Sequence, residues 1–472
     1  MLNLKPSIKV MNQAQIDQVQ KNSLQILSGT GIIVEDKDAR LVFEKAIGET
    51  SKDDRIRLPD ELIRRAISSA PSEIQIYDRR GNPCFELKGD STQETVFGTG
   101  VTNLHYHDPF SKKIIPFHRK HMADAAALTN SLEDYDFIST PGVIQDIPPE
   151  TADIYSVLEM QANTVKPIVM LISHKDSFSP ALDMCEHLFG NLDQKPFLMP
   201  YVNPITPLVL NSETTRKMKI SIKRGLPVIF SNYGMSGATC PITPAGTLAL
   251  LNAELLAGLV YSQLIKEGAP IVLGSLPAAF DMKNAGSYYS PKTLLLNLAC
   301  AEILTSYGIP HCGTSGSGNG WEADLLAGTT LCINHFTSCL GAAGMVPFVG
   351  GNFDSLVFSP ELVVYANDFI HQSRNFASGF SLADEEVGLD DISSIGPGGN
   401  FLLSGLTTKH FKESQFDSLI WPFLSLEKWQ SKGEPEAGSV LNEKTCELIK
   451  NPLIPDDKKD IIASGEEFIK QL

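Results

Sequence analysis

A (β/α)₈ TIM barrel of the α/β class, with an N-terminal α+β appendage and a C-terminal helical extension, is the fold this sequence predicts. Three observations carry the expectation. Eight short apolar runs bounded by turn residues occur at 95–97, 137–139, 168–172, 197–201, 228–231, 271–273, 309–312 and 346–349. Helical patterns separate them at 118–129, 152–163, 178–189, 212–223, 245–266, 291–307 and 321–342, and another follows at 360–377. Runs apolar on both faces, each divided from the next by a helix, indicate parallel strands covered by helices. Eight strands and eight helices between residues 93 and 380 are the arithmetic of a closed barrel.

Upstream, residues 1–92 alternate short helices and strands and form the predicted appendage. Ile16, Val19, Leu24 and Leu27 are spaced as one helical face, with Gly29 as a stop. Pro59 opens a helix over 60–69, because proline loses no needed donor in the first turn. Runs at 73–77 and 84–87 flank Arg79-Arg80-Gly81-Asn82, the signal of a hairpin. Downstream, residues 381–472 open on an acidic stretch at 384–391 and the turn Gly396-Pro-Gly-Gly-Asn400, then close on two helical patterns. Their apolar residues are too few for a core of their own, so this extension is expected to pack on the barrel. The acidic stretch reads as a solvated loop.

Composition narrows the function. With 42% hydrophobic and 20% charged residues the chain is an ordinary globular sequence, and its 472 residues suffice for a large core. A net charge of −16 argues against nucleic acid or an anionic membrane surface as partner, since both call for a basic face. Residues 1–10 lack the basic segment and apolar run of a signal peptide. The most apolar window, 243–265, is broken by Asn252, Glu254 and Gln263 and reads as a buried helix. Eight cysteines show no CxxC pair, which fits reduced thiols and a cytoplasmic location.

A barrel of this kind places its site at the C-terminal ends of the strands. Glycine stands at six of the eight tips, while carboxylates are nearly absent until Asp281, Glu322 and Asp354 at loop edges. That scarcity excludes a glycosidase, which needs two flanking carboxylates. A Schiff-base aldolase needs a lysine at a strand end, yet no lysine occurs between Lys292 and Lys409. His311 beside Cys312 lacks a third ligand at zinc spacing, so no metal is expected. Neither a phosphate loop nor a GxGxxG fingerprint is present. What remains is a bowl of backbone amides, hydroxyls and rings: Phe97, Tyr106, Tyr201, Phe230, Tyr233, Trp321 and Phe353. Aromatic faces attract quaternary ammonium ions through the ring quadrupole. The loop from Gly308 to Asn319, rich in glycine and serine, allows close approach of a flat ligand.

Several stretches resemble the trimethylamine methyltransferase superfamily, in order along essentially the whole chain. They are Arg55-Ile-Arg-Leu-Pro-Asp-Glu-Leu62 with Ala70-Pro71, Phe97-Gly-Thr-Gly100, and Tyr106-His-Asp-Pro-Phe-Ser111 leading to His121-Met-Ala-Asp124. Gly237-Ala-Thr-Cys-Pro-Ile-Thr-Pro-Ala-Gly246 with Asn252-Ala-Glu254, and Gly396-Pro-Gly-Gly-Asn-Phe-Leu402, complete the set. The resemblance implies a (β/α)₈ barrel that passes a methyl group to Co(I) of a corrinoid (cobalamin) carried by a cognate corrinoid protein. Founding members of that family carry pyrrolysine, thought to hold a tertiary amine. This chain has none, which implies the non-pyrrolysine branch and a quaternary amine such as glycine betaine, proline betaine or carnitine.

Chemistry agrees with that implication: a quaternary nitrogen leaves as a neutral amine and needs no acid or covalent activator. The expected cation cage is Phe97, Tyr201, Tyr233 and Phe353. Gly98, Gly100, Gly237, Gly313, Ser315 and Gly350 are expected to receive the corrinoid. Tyr106, His107 and His311 are the candidates for positioning the substrate carboxylate. A homo-oligomer is expected. Two rival classes are a non-catalytic quaternary-amine-binding protein and a barrel lyase or aldolase, the latter disfavoured by the missing base and lysine.

Overall fold

A computed structural model describes residues 3–50 and 53–472; residues 1–2 of the appendage and 51–52 lie outside it. Eight parallel strands close into a barrel: β1 (Val96–Thr99), β2 (Phe137–Ser139), β3 (Ile168–Met170), β4 (Leu198–Val202), β5 (Val228–Ser236), β6 (Ile271–Asp281), β7 (His311–Cys312) and β8 (Met345–Val349). Each pairs with its neighbours in sequence, and β8 returns to β1 through Met345 opposite Val96. The helices that follow are α1 (Arg119–Ser131), α2 (Pro149–Asn163), α3 (Phe178–Phe189), α4 (Ser212–Lys223), α5 (Pro244–Ile265), α6 (Pro291–Ser306), α7 (Leu325–Leu340) and α8 (Pro360–Ser378). Every expected strand and helix is present, with ends shifted by a few residues except in β5 and β6. α5 is the helix long and apolar enough to cross a membrane among the described residues, and it is buried against the barrel wall.

Side chains alternate between bore and wall. Val96, Phe137, Val169, Met199, Ile229, Val272, Cys312 and Met345 fill the bore. Phe97, Ile138, Ile168, Met170, Leu198 and Val346 face the helices in a second cluster, and Phe230, Leu273 and Ile309 in a third. The appendage hairpin, Glu73–Tyr77 paired with Pro83–Lys88, adds Ile74, Ile76 and Leu87 to the bore cluster. It lies across the N-terminal ends of the strands, since Tyr77 N–H donates to the Pro196 carbonyl and Arg79 N–H to that of Val165. The hairpin therefore plugs the floor of the barrel.

Some local expectations need correction. Gly29 does not stop the first helix: Gln13–Gln25 continues as a wider turn, Ile26–Thr30, and ends at Gly31. Gly31 has φ +71°, and a Cβ there would meet the Ile56 carbonyl oxygen at 2.6 Å. β5 and β6 run well past their expected ends and stay paired as far as Ser236 opposite Ala279. Gly286–Tyr288 then folds back along β6. Small and polar residues hid this ribbon, which its cross-strand partner stabilises more than its own propensity does. The acidic stretch forms two short exposed helices, Asp384–Val387 and Leu389–Ile395.

The chain ends hold the barrel from outside. Asn3–Leu4 pairs with Phe380–Ser381, Ala437–Lys450 packs on α8 and α1, and Lys458–Ile469 packs on α2 and α3. Arg79 of the floor hairpin is buried and clamps Asp457 through both guanidinium nitrogens at 2.5 and 2.6 Å. Four cysteines (185, 240, 300 and 312) are buried and Cys84 is exposed.

Candidate active site

The tallest structure at the mouth is the β5–β6 ribbon, and its residues meet those of β4, β8 and the following loops inside the bore. Tyr201, next to last in β4, points inward and packs edge-on against Phe348, with ring centroids 5.1 Å apart. Its hydroxyl is buried near Ser231 and Asn203 yet makes no well-formed hydrogen bond, and Ser231 Oγ is also without a partner. Burial holds the Tyr201 phenol well above its ordinary pKa. Tyr233 stands two positions above Ser231 on the ribbon; burial, then the charge of Asp354, pushes its phenol up to about 12, while Ser287 offers it a hydrogen bond. Tyr289 follows the ribbon's return strand. It is buried, senses the charge of Asp354, and lies by Tyr233, Ser315 and Tyr201. Asn319 Nδ2 fixes its backbone by donating to the Tyr289 carbonyl at 2.8 Å.

Asp354 completes the group. The Ser287 hydroxyl donates to its carboxylate, and no ion pair reaches it among the described residues. Burial raises its pKa above the ordinary carboxylate value and the Ser287 hydrogen bond partly offsets this. Phe353, Asp354 and Ser355 all have left-handed backbone, with φ of +50°, +55° and +67°. Three consecutive non-glycine residues there are unfavourable and persist only where surrounding contacts impose them. Here Phe353 N–H donates to Gly320 O at 3.0 Å and Leu356 N–H to Asn352 O at 3.0 Å.

The predicted residues divide sharply by position. Tyr201, Tyr233 and Ser315 come together in the bore, with Phe353 on the exposed rim beside Asp354. Phe97 does not join them: as the outward residue between Val96 and Gly98 it meets His335 and lies 5.3 Å from the Arg374 guanidinium. His311 also faces outward, with Nε2 3.1 Å from the Ala342 carbonyl. Burial lowers its pKa and favours the neutral ring. Tyr106 stacks on His121 at 4.1 Å within the outer core. His107 is buried on the same short strand, and its Nδ1 has no partner. Tyr106 and His311 are thereby turned away from the tyrosine group.

Most of the glycines sit where a side chain would collide with the barrel. A Cβ at Gly98 would strike the Phe137 ring at 2.2 Å, at Gly100 the Ser139 Cβ at 2.9 Å, and at Gly313 the Ala343 carbonyl oxygen at 2.2 Å. Gly350, with φ +108°, is pressed on Val363. Gly237 alone of this set lies on the open rim, beside Ile242 and Met282. The loop after Gly308 is more enclosed than its composition suggests. Residues 311–318 are buried because Gly313 N–H, Gly318 N–H and Ser317 Oγ bond to the backbone of β8 and its loop.

Tyr289 and Asp354 were missed as a pair. The doubled Tyr288-Tyr289 in a strand-to-helix loop was a usable signal, whereas nothing local marks Asp354 as the partner of a ribbon 67 residues away. No group of three metal-binding side chains occurs among the described residues.

The mouth of this closed (β/α)₈ barrel thus gathers tyrosines beside the Asp354 carboxylate, and sequence similarity places the chain in the methylamine-type methyltransferase class. The profile of the trimethylamine methyltransferase (MTTB) family matches residues 1–471, and the chain belongs to that family. It is 26% identical to the trimethylamine methyltransferase MttB of Desulfitobacterium hafniense (strain DSM 10664 / DCB-2), covering 92% of this chain and 88% of the relative. It is 27% identical to MttB of Methanosarcina barkeri, over 96% and 93% of the two chains. A glycine betaine methyltransferase of D. hafniense (strain Y51) is 25% identical over 99% of this chain and 98% of its own. The crystal structure of the M. barkeri monomethylamine methyltransferase MtmB shares the fold, with a TM-score of 0.57 at 11% identity, over 96% of this chain and 90% of that one.

Proposed function

We propose that this chain moves a methyl group from a quaternary amine to Co(I) of a corrinoid carried by a partner protein. The observation that carries the reading is the mouth itself: Tyr201, Tyr233 and Tyr289 lie together, Phe348 packs on Tyr201, the Asp354 charge reaches Tyr233 and Tyr289, and among the described residues no acid pair or lysine joins the bore cluster. Rings and a carboxylate attract a cation that cannot donate a hydrogen bond. In the reaction, the cobalt electron pair forms a Co–C bond while the C–N bond breaks, and nitrogen keeps its pair and departs as a neutral tertiary amine. No proton moves, so the residues present have only to hold the cation and aim one methyl outward. Alignment of that kind supplies roughly 7 kcal/mol or more of barrier reduction.

The rim fits a protein partner as well. Ile242, Met282, Trp321 and Leu325 expose 62–90% of their surface on the loops after β5, β6 and β7. Such apolar residues around a mouth mark an interaction surface. Glycine betaine, giving dimethylglycine, is the reference substrate because one relative bears that name; proline betaine and carnitine are the alternatives. The reading puts the reaction in the cytoplasm, where a reduced corrinoid is maintained, with the chain as a homo-oligomer.

Incubation with chemically reduced Co(I) cobalamin and each amine tests the reading. Methylcobalamin, followed by absorbance, and the demethylated amine, identified by mass, should appear with a quaternary amine. Methylcobalamin from trimethylamine alone, or from no amine, overturns it.

A further inference from the structure

The charge at the mouth is one-sided. Asp354 is a half-buried carboxylate whose hydrogen-bond partner is the Ser287 hydroxyl, and its charge is felt by both Tyr233 and Tyr289. Tyr201 Oη and Ser231 Oγ, each more than nine-tenths buried, lie in the same part of the bore and lack partners. Unsatisfied buried hydroxyls are uncommon in native interiors and call for a ligand or water to complete them. Among the described residues no lysine, arginine or histidine forms an ion pair with Asp354. The loops that follow the eight strands contain no arginine, and their lysines, Lys112, Lys113, Lys175 and Lys283, are all exposed. Lys112 is already paired with Glu361 at 2.7 Å. His311, which could have served a carboxylate, is held against the Ala342 carbonyl, and His107 is buried on the short strand after β1 with Nδ1 unpartnered.

A zwitterion entering this pocket would bring its own carboxylate toward Asp354. Two like charges held close in a partly desolvated site repel strongly unless one takes a proton or a cation lies between them. A cation with no carboxylate meets only attraction, from the rings and from Asp354. We propose that this pocket selects quaternary ammonium ions that carry no carboxylate, of the choline or tetramethylammonium kind, and that Asp354 sets the choice. The proposal rests on the quaternary-amine reading above and, within it, puts carboxylate-free cations in place of the betaines named there.

Calorimetric titration of the full chain, without any corrinoid, tests this directly with tetramethylammonium, choline and glycine betaine. Tetramethylammonium and choline should bind at least tenfold tighter than glycine betaine. Asp354→Asn should weaken the two cations at least tenfold while leaving glycine betaine unchanged or tighter. Asparagine tolerates left-handed backbone better than most residues, so the loop should keep its shape, and a thermal melt verifies that. Ser287→Ala, which frees the carboxylate to wander, should weaken the cations several-fold. Glycine betaine binding as tightly as choline, an equal loss for all three ligands in Asp354→Asn, or no binding of any ligand overturns the proposal. The cobalamin assay is read separately: failure of methyl transfer from every amine removes the methyltransferase reading and leaves the titrations to judge Asp354.

Discussion

At the floor of the bore, Ile74, Ile76 and Leu87 of the hairpin meet Val96 and Met345 in a purely apolar plug, and Arg79 there is bound to Asp457 and the Thr164 carbonyl. At the mouth the same alternating strands present Tyr201, Ser231, Tyr233 and Asp354, with orphaned hydroxyls, a carboxylate without a cation and three left-handed residues in a row. The floor satisfies every rule of a stable interior, and the mouth breaks several within a few residues. In a barrel the two ends can be built independently, because strands supply the wall and loops supply the chemistry. The mouth's unfavourable features are tolerated because the floor and the helical wall hold the strands in place.

If that division holds, changes at the floor should cost stability and spare binding. Ile76→Ala, at a fully buried position, should destabilise the chain by about 2–5 kcal/mol, measured by denaturant unfolding, with cation affinity unchanged. A loss of affinity matching the loss of stability would show that the two ends are coupled.

Glu254 tests the wall between them. It is buried on α5 and accepts from Leu208 N at 2.6 Å, Thr206 Oγ1 at 2.9 Å and Asn232 Nδ2 at 2.9 Å, tying the loop after β4 to the ribbon. Burial outweighs these bonds and raises its pKa from 4.5 to about 7. Since the folded value lies above the unfolded one, the native chain holds an extra proton between them. Stability from this group should therefore fall as pH rises from about 4.5 through about 7, by up to about 3 kcal/mol. Urea unfolding at pH 5 and pH 8 measures it, and a flat profile would show that Glu254 stays ionised throughout.

At the mouth the expected pattern reverses, with function lost and stability kept. Tyr289→Leu should lower kcat/KM for methyl transfer by about 30-fold, the worth of a desolvated cation–π contact of about 2 kcal/mol, with the melting temperature nearly unchanged. The same replacement at Phe97 should leave substrate affinity alone, because that ring packs in the wall.

The smallest effect is that of acid on cation binding. Affinity should fall on acidification as Asp354 takes a proton. The fall should begin at higher pH than an ordinary aspartate would give, because burial raises this carboxyl above 3.8. Tyr233, Tyr289 and Ser287, which face it, do not titrate in acid. A pH series carried part-way through the Asp354 titration should show a several-fold loss in the native chain, tending toward that of Asp354→Asn, and none in Asp354→Asn.

The barrel was legible because its signals are local. A buried parallel strand is a short apolar run, and an amphipathic helix repeats within a few residues, so counting both recovers the (β/α)₈ order. Tyr201 and Tyr233 were legible for the same reason, as rings at strand ends. Phe97 was not, because a strand buried on both faces has no polar side to show which way each residue points. The glycines announce close approach by composition, and the packed structure adds that Phe137, Ala343 and Val363 are among the atoms that approach.

Sequence alone thus determined the class, the element order and the want of a lysine or acid pair at the strand ends. The tertiary structure decided which rings share the bore, how far the ribbon rises above it, and that Asp354 faces the tyrosines. Those facts depend on pairings between residues tens of positions apart, where one residue of register moves a side chain from bore to wall.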